Sequence, residues 1–142
     1  MSILSDLGTK VGAEFKSHRL RIEDLETGKL DTSGGTITGD VTISGVSRST
    51  TTTNGDSLTF DLSTTNNFTA NVSNGGTLTF SNLSDGQSGN IVLINSGVTI
   101  AKASNVKTTS DFLTTVGVAG TFWLSYICDG TNVYVTASTK LS

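Results

Sequence analysis

The stretch SLTFDLSTTNNFTANVSNGGTLTF, residues 57–80, sets apolar side chains at alternate positions and interrupts them with STTN and SNGG. A period of two marks strands with one buried face, and Thr between the apolar positions suits a pleated surface. The interruptions are made of residues that favour turns. SLTF and TLTF, twenty residues apart, point to a duplicated hairpin.

The pattern continues to the end of the chain. Strands are expected over residues 57–62, 67–72, 77–83, 90–95, 98–101, 121–128 and 132–137, with SDGQSG, NSG and DG as further turns. Asp129-Gly130, between TFWLSYIC and TNVYVTA, is the clearest hairpin signal. Phe60, Phe68, Phe80, Leu93, Phe122, Leu124, Tyr126, Val133 and Val135 are the expected core. Short strands at this spacing predict an antiparallel, jelly-roll-like β-sandwich over residues 57–142, and a mainly β protein.

Upstream of residue 31 the chemistry changes. Of 142 residues, the first 30 hold Asp6, Lys10, Glu14, Lys16, Arg19, Arg21, Glu23, Asp24, Glu26 and Lys29, in a chain otherwise rich in Ser, Thr and Gly. With Ile22 at heptad position a and Leu25 at d, Leu4, Val11 and His18 fall at d and Phe15 at a. Such a narrow seam predicts a coiled-coil helix over residues 1–30, closed by Gly28 as a left-handed cap. The helix is marginal alone, so a second surface must cover the seam.

Arg21-Ile22-Glu23-Asp24-Leu25-Glu26 resembles the trimerisation motif of short three-stranded coiled coils. There the Arg stem shields the seam while its guanidinium grips a carboxylate of the neighbouring helix. Ile at a with Leu at d leans toward two strands, whereas Phe15 suits the wider core of three. A dimer, or packing of the helix on its own β-domain or another protein, stays open beside the trimer. His18, on the seam, is read as a polar layer that fixes register. Three imidazoles around an ion is the sharper alternative.

Residues 31–56 read as a β-neck and linker. In SGGTITGDVTISG, residues 33–45, Ile37, Val41 and Ile43 share one parity, and the polar SRSTTTTNGD follows. The first run resembles the Gly-Gly-Thr-apolar-Thr-Gly element of phage tail fibres and related virion fibres. The resemblance implies a trimer whose chains intertwine. TLTFSNLSDGQSGNIVLINSG and FWLSYICDGTNVYVTAS resemble terminal domains in structural proteins of marine and cyanobacterial phages.

Chemistry for catalysis is sparse. The only His, His18, lies outside the segment that carries most serines, and Cys128 is the only Cys. Asp85, Asp129 and Asn132 lack the dense spacing of a calcium loop. No enzyme activity, metal or cofactor is expected. A net charge of −3 opposes nucleic-acid binding, and no apolar run is long enough for membrane insertion. Residues 1–7 lack the features of a secretory signal.

Trp123 and Tyr134 oppose the core parity of the last hairpin. They would stack on a sugar, or fill a trimer interface or a second layer of the sandwich, and the apolar surface that a trimer needs favours the latter. The expectation is a non-enzymatic homotrimeric virion fibre or spike, a tail fibre for host attachment. A capsid-surface fibre and a small trimeric carbohydrate-binding module are the alternatives. Its partners would be itself, another virion protein docking the N-terminal segment, and a host surface glycan if the aromatic pair is a site.

Overall fold

The computed structural model describes residues 7–17 and 37–142. The chain divides into two units, Met1–Gly45 and Val46–Ser142. In the first unit the described residues 7–17 are helical (α1), and Val11 and Phe15 on them are exposed. Leu4, His18, Arg21, Ile22, Leu25 and Glu26 lie outside the described residues. Within the expected β-neck and linker, residues 37–50 carry no strand and Ile37, Val41 and Ile43 are exposed, whereas residues 51–53 are strand. Period-two parity gives a segment a face, but a strand also needs a neighbour for its backbone groups.

The second unit is mainly β and is a β-solenoid, not an antiparallel sandwich. Strands β1 (Thr51–Thr53), β3 (Asn67–Val72) and β5 (Asp85–Asn95) alternate along the chain with β2 (Thr59–Asp61), β4 (Gly76–Ser81) and β6 (Ile100–Lys102). The odd members stack in parallel in one sheet, and the even members stack in parallel in a second. Each turn of roughly 20 residues therefore contributes one strand to each sheet. Thr59 pairs with Thr79 and Phe60 with Phe80, so SLTF and TLTF are successive turns lying one upon the other, not a duplicated hairpin. Alternation specifies a buried face but says nothing of strand direction, and the sandwich expectation failed on direction alone.

The coil ends after its third turn. β7 (Val106–Lys107) and the short helix α2 (Phe112–Val116) lead into the antiparallel hairpin of β8 (Gly120–Asp129) and β9 (Val133–Ala137). The hairpin extends the first sheet beyond β5, giving the order β1-β3-β5-β8-β9-β7, while the second sheet stops at β6. Phe112 and Val116 of α2 are buried, and α2 packs against β6 and β9. The helix thus covers the part of the larger sheet that the smaller one leaves bare. Gly130, at φ +79°, makes the hairpin turn expected at Asp129-Gly130.

All the residues expected in the core are buried. At the centre the Phe60 ring meets Phe68 edge-on at 5.2 Å and Phe80 at 5.6 Å, and Phe80 meets Tyr126 at 5.4 Å. Asn95 is the buried polar side chain of this core. Its amide donates to the carbonyls of Val98 (2.9 Å) and Val116 (2.7 Å) and accepts from the N–H groups of Gly97 (2.9 Å) and Val98 (2.8 Å). Full satisfaction makes its burial tolerable, and it ties the β5–β6 corner to α2.

Two corners carry a carboxylate from the first turn facing an amide from the second. Asp56 accepts from the Ser73 N–H (2.6 Å), the Asn74 N–H (3.1 Å), the Ser73 hydroxyl (3.2 Å) and the Asn74 side chain. Asp61 accepts from Asn82 Nδ2 at 2.7 Å. The Asn74 amide and the two backbone donors bring the Asp56 pKa from 3.8 down to about 2. A depressed carboxylate pKa stabilises the fold above the unfolded value and ceases to do so as pH falls through the folded one. The melting temperature should therefore hold above pH 4 and fall toward pH 2. Circular-dichroism melts at stepped pH should show a smaller fall for Asp56→Asn; an identical acid profile would remove Asp56 from the cause.

Candidate functional site

The outward face of the larger sheet carries the candidate site. Strand pairing places Thr51 opposite Asn67, Asn67 opposite Asn90, Asn90 opposite Ser125, and Ser125 opposite Thr136. Small neutral polar side chains thus form one row across the strands. The next row runs Thr53, Thr69, Val92 and Trp123. Both rows follow from parity, because Phe68, Ile91, Leu93, Phe122 and Leu124 take the inward positions between them.

Hydrogen bonds lock the first row to the second. Trp123 Nε1 and the Ser125 hydroxyl both donate to Asn90 Oδ1, at 3.2 and 3.0 Å. Asn90 Nδ2 donates to Asn67 Oδ1 at 3.5 Å, and Asn67 Nδ2 donates to the Ser49 hydroxyl. Trp123 is 46 % exposed, so its indole edge is fixed while much of its ring meets solvent. A cleft of about 390 Å³ opens beside it, bordered by Thr51, Asn67, Thr69, Asn90 and Val92.

Tyr134 shares this face but not this cleft. It is 47 % exposed, stands opposite Ile127 and lines a separate groove of about 530 Å³ with Lys107, Ser125 and Thr136. Its hydroxyl donates to Asp129 Oδ2 at 2.9 Å, while Asp129 Oδ1 accepts from the N–H groups of Asn132 (2.6 Å) and Thr131 (2.9 Å). Those backbone donors hold the Asp129 carboxyl well below the usual range, and the adjoining carboxylate pushes the Tyr134 phenol up. Asp129 and Asn132 are thus engaged in closing the turn.

Parity placed both aromatic residues outside the core, and the structure agrees. It separates them instead of forming one pocket, because they sit on adjacent strands at registers four residues apart along β8. No second layer of a sandwich covers them among the described residues. Asn67 and Asn90 were missed as site residues. Their signal was present, since each opens an expected strand at an outward position.

Cys128 is buried and its thiol is pushed up by that burial. Burial likewise raises the Tyr126 phenol to about 12, and its hydroxyl donates to the Asn66 carbonyl at 3.0 Å. Among the described residues, no three His, Cys, Asp or Glu side chains converge on a metal position. The outward face offers an aromatic wall, amides and hydroxyls.

No family model matches the chain, nor does any curated protein or solved structure.

Proposed function

We propose that the chain is a subunit of a homotrimeric virion fibre, a tail fibre that attaches the particle to its host. In this reading the N-terminal segment assembles three copies and docks on another virion protein, and the solenoid is the outward-facing head. One observation carries it: the head buries its own core, whereas the apolar side chains of α1 and of residues 37–46 are exposed. Phe15 is 72 % exposed and Val46 81 %. Side chains of this size gain about 1.5–3 kcal/mol each when covered. Val11 and Phe15 hold the d and a positions of the seam, so neighbouring copies of the same helix would cover them. The resemblance of Arg21-Ile22-Glu23-Asp24-Leu25-Glu26 to a trimerisation motif supports three copies over two.

Sedimentation equilibrium at micromolar concentration should give three times the chain's mass. Arg21→Ala with Glu26→Ala should raise the concentration for half-dissociation about tenfold or more, which for a trimer, whose dissociation constant scales as the square of that concentration, is the loss of about 2.8 kcal/mol or more per trimer. Unchanged trimers in the double variant would remove these residues from assembly, and a monomeric parent would overturn the reading. Gold-labelled antibodies should mark the tail; labelling spread over the capsid would move the fibre to the capsid surface.

A further inference from the structure

We propose that the cleft beside Trp123 binds a neutral saccharide, with one pyranose ring stacked on the indole and its hydroxyls held by Asn67 and Asn90. The proposal rests on the attachment role argued above and names the class of ligand recognised. Three features of the cleft select that class. None of the described side chains bordering it is ionisable, so a charged sugar, a phosphate or an acidic peptide would enter without a counter-charge. One wall is an aromatic ring whose negatively polarised face attracts the C–H groups on the apolar side of a pyranose. Beside the apolar Val92 and Phe68, the rest is the amides of Asn67 and Asn90 and the hydroxyls of Thr51 and Thr69, which supply both donors and acceptors to the alternating hydroxyls of a sugar.

The spare valences lie in the right place. Asn90 Oδ1 is filled by Trp123 and Ser125, but one hydrogen of Asn90 Nδ2 has no described partner. Asn67 keeps one Nδ2 hydrogen and an Oδ1 lone pair beyond its bonds to Ser49 and Asn90. Both amides border the same cleft as the indole, which Asn90 itself orients. Because the Nε1 bond already fixes Trp123, stacking forfeits little side-chain freedom.

Trp123 is the only Trp in the chain, so intrinsic tryptophan fluorescence reports on this cleft. The 142-residue chain is titrated with neutral trisaccharides of glucose, galactose and N-acetylglucosamine, and with trigalacturonate as the charged counterpart. At least one neutral probe should give a saturable shift below about 20 mM, consistent with the millimolar affinity of a small wet site. Trigalacturonate should give none. By calorimetry, Trp123→Ala should abolish binding, and Asn67→Ala should weaken it about fivefold or more. Tyr134→Ala, in the separate groove, should leave the affinity unchanged, and the melting temperatures of all three variants should stay near the parent's.

Silence from every neutral probe, equal binding of trigalacturonate, or unchanged affinity in Asn67→Ala would overturn the proposal. Sedimentation of the same sample separates the two readings: a trimer that ignores sugars removes only the cleft, whereas a sugar-binding monomer removes only the fibre.

Discussion

Gly89→Ala should be among the most damaging single-atom additions to this protein, lowering stability by about 3 kcal/mol or more. A Cβ at Gly89 would lie 1.7 Å from the Asn66 carbonyl oxygen and 2.6 Å from the Tyr126 hydroxyl. Neither neighbour can move cheaply. The Asn66 carbonyl accepts from Tyr126 at 3.0 Å and from the Asn90 N–H at 3.0 Å, so pushing it aside breaks the bonds that join the second and third turns. Gly76→Ala is the matched control, since its Cβ meets only the movable end of Leu58 at 3.3 Å. Urea unfolding of the full chain should show a large loss for Gly89→Ala and less than about 1 kcal/mol for Gly76→Ala. Equal midpoints would refute the close approach of the two turns.

Phe60→Ala should cost about 3–5 kcal/mol. The side chain is fully buried and touches an aromatic ring in each sheet, Phe68 in one and Phe80 in the other. Its loss opens a cavity between the sheets and removes two ring pairs worth about 0.5–1.5 kcal/mol each beyond area burial. For a unit of this size, each 1 kcal/mol moves the melting temperature by about 4–8 °C, so a fall of more than 10 °C is expected. Phe15→Ala makes the opposite case. Exposed on α1, Phe15 should leave the melt of the head unchanged and alter only the oligomer mass. A scanning calorimeter and a sedimentation run on both variants would separate folding from assembly.

What the sequence disclosed was the faces of the strands. Residues 67–72 were expected as a strand and are one with the same bounds, and every expected core residue is buried, because alternation depends only on local pleating. Chain direction escaped, since the same alternation serves a hairpin or one turn of a coil. β1 hid in the threonine run of the connector, where no apolar residue reveals a buried side. β5 starts at Asp85, before the expected 90, because Asp-Gly-Gln-Ser-Gly has no hydrophobic marker and is recruited by β8. α2 has 5 residues, too few to display a helical period. At the site, parity brought out Trp123 and Tyr134, but their separation and the roles of Asn67 and Asn90 depend on which strands become neighbours.

The two ends of the coil are unequal. β7, β8, β9 and α2 terminate one side, whereas β1 and β2 are both edge strands on the other. An engineered extra turn, copied from residues 51–66 and inserted ahead of Thr51, would bring a first-sheet strand and then a second-sheet strand and so meet compatible ladders in both sheets. The same insert placed after Lys102 would have to displace the hairpin and its helix. Lengthening of this architecture, by design or by descent, therefore has a direction built into it.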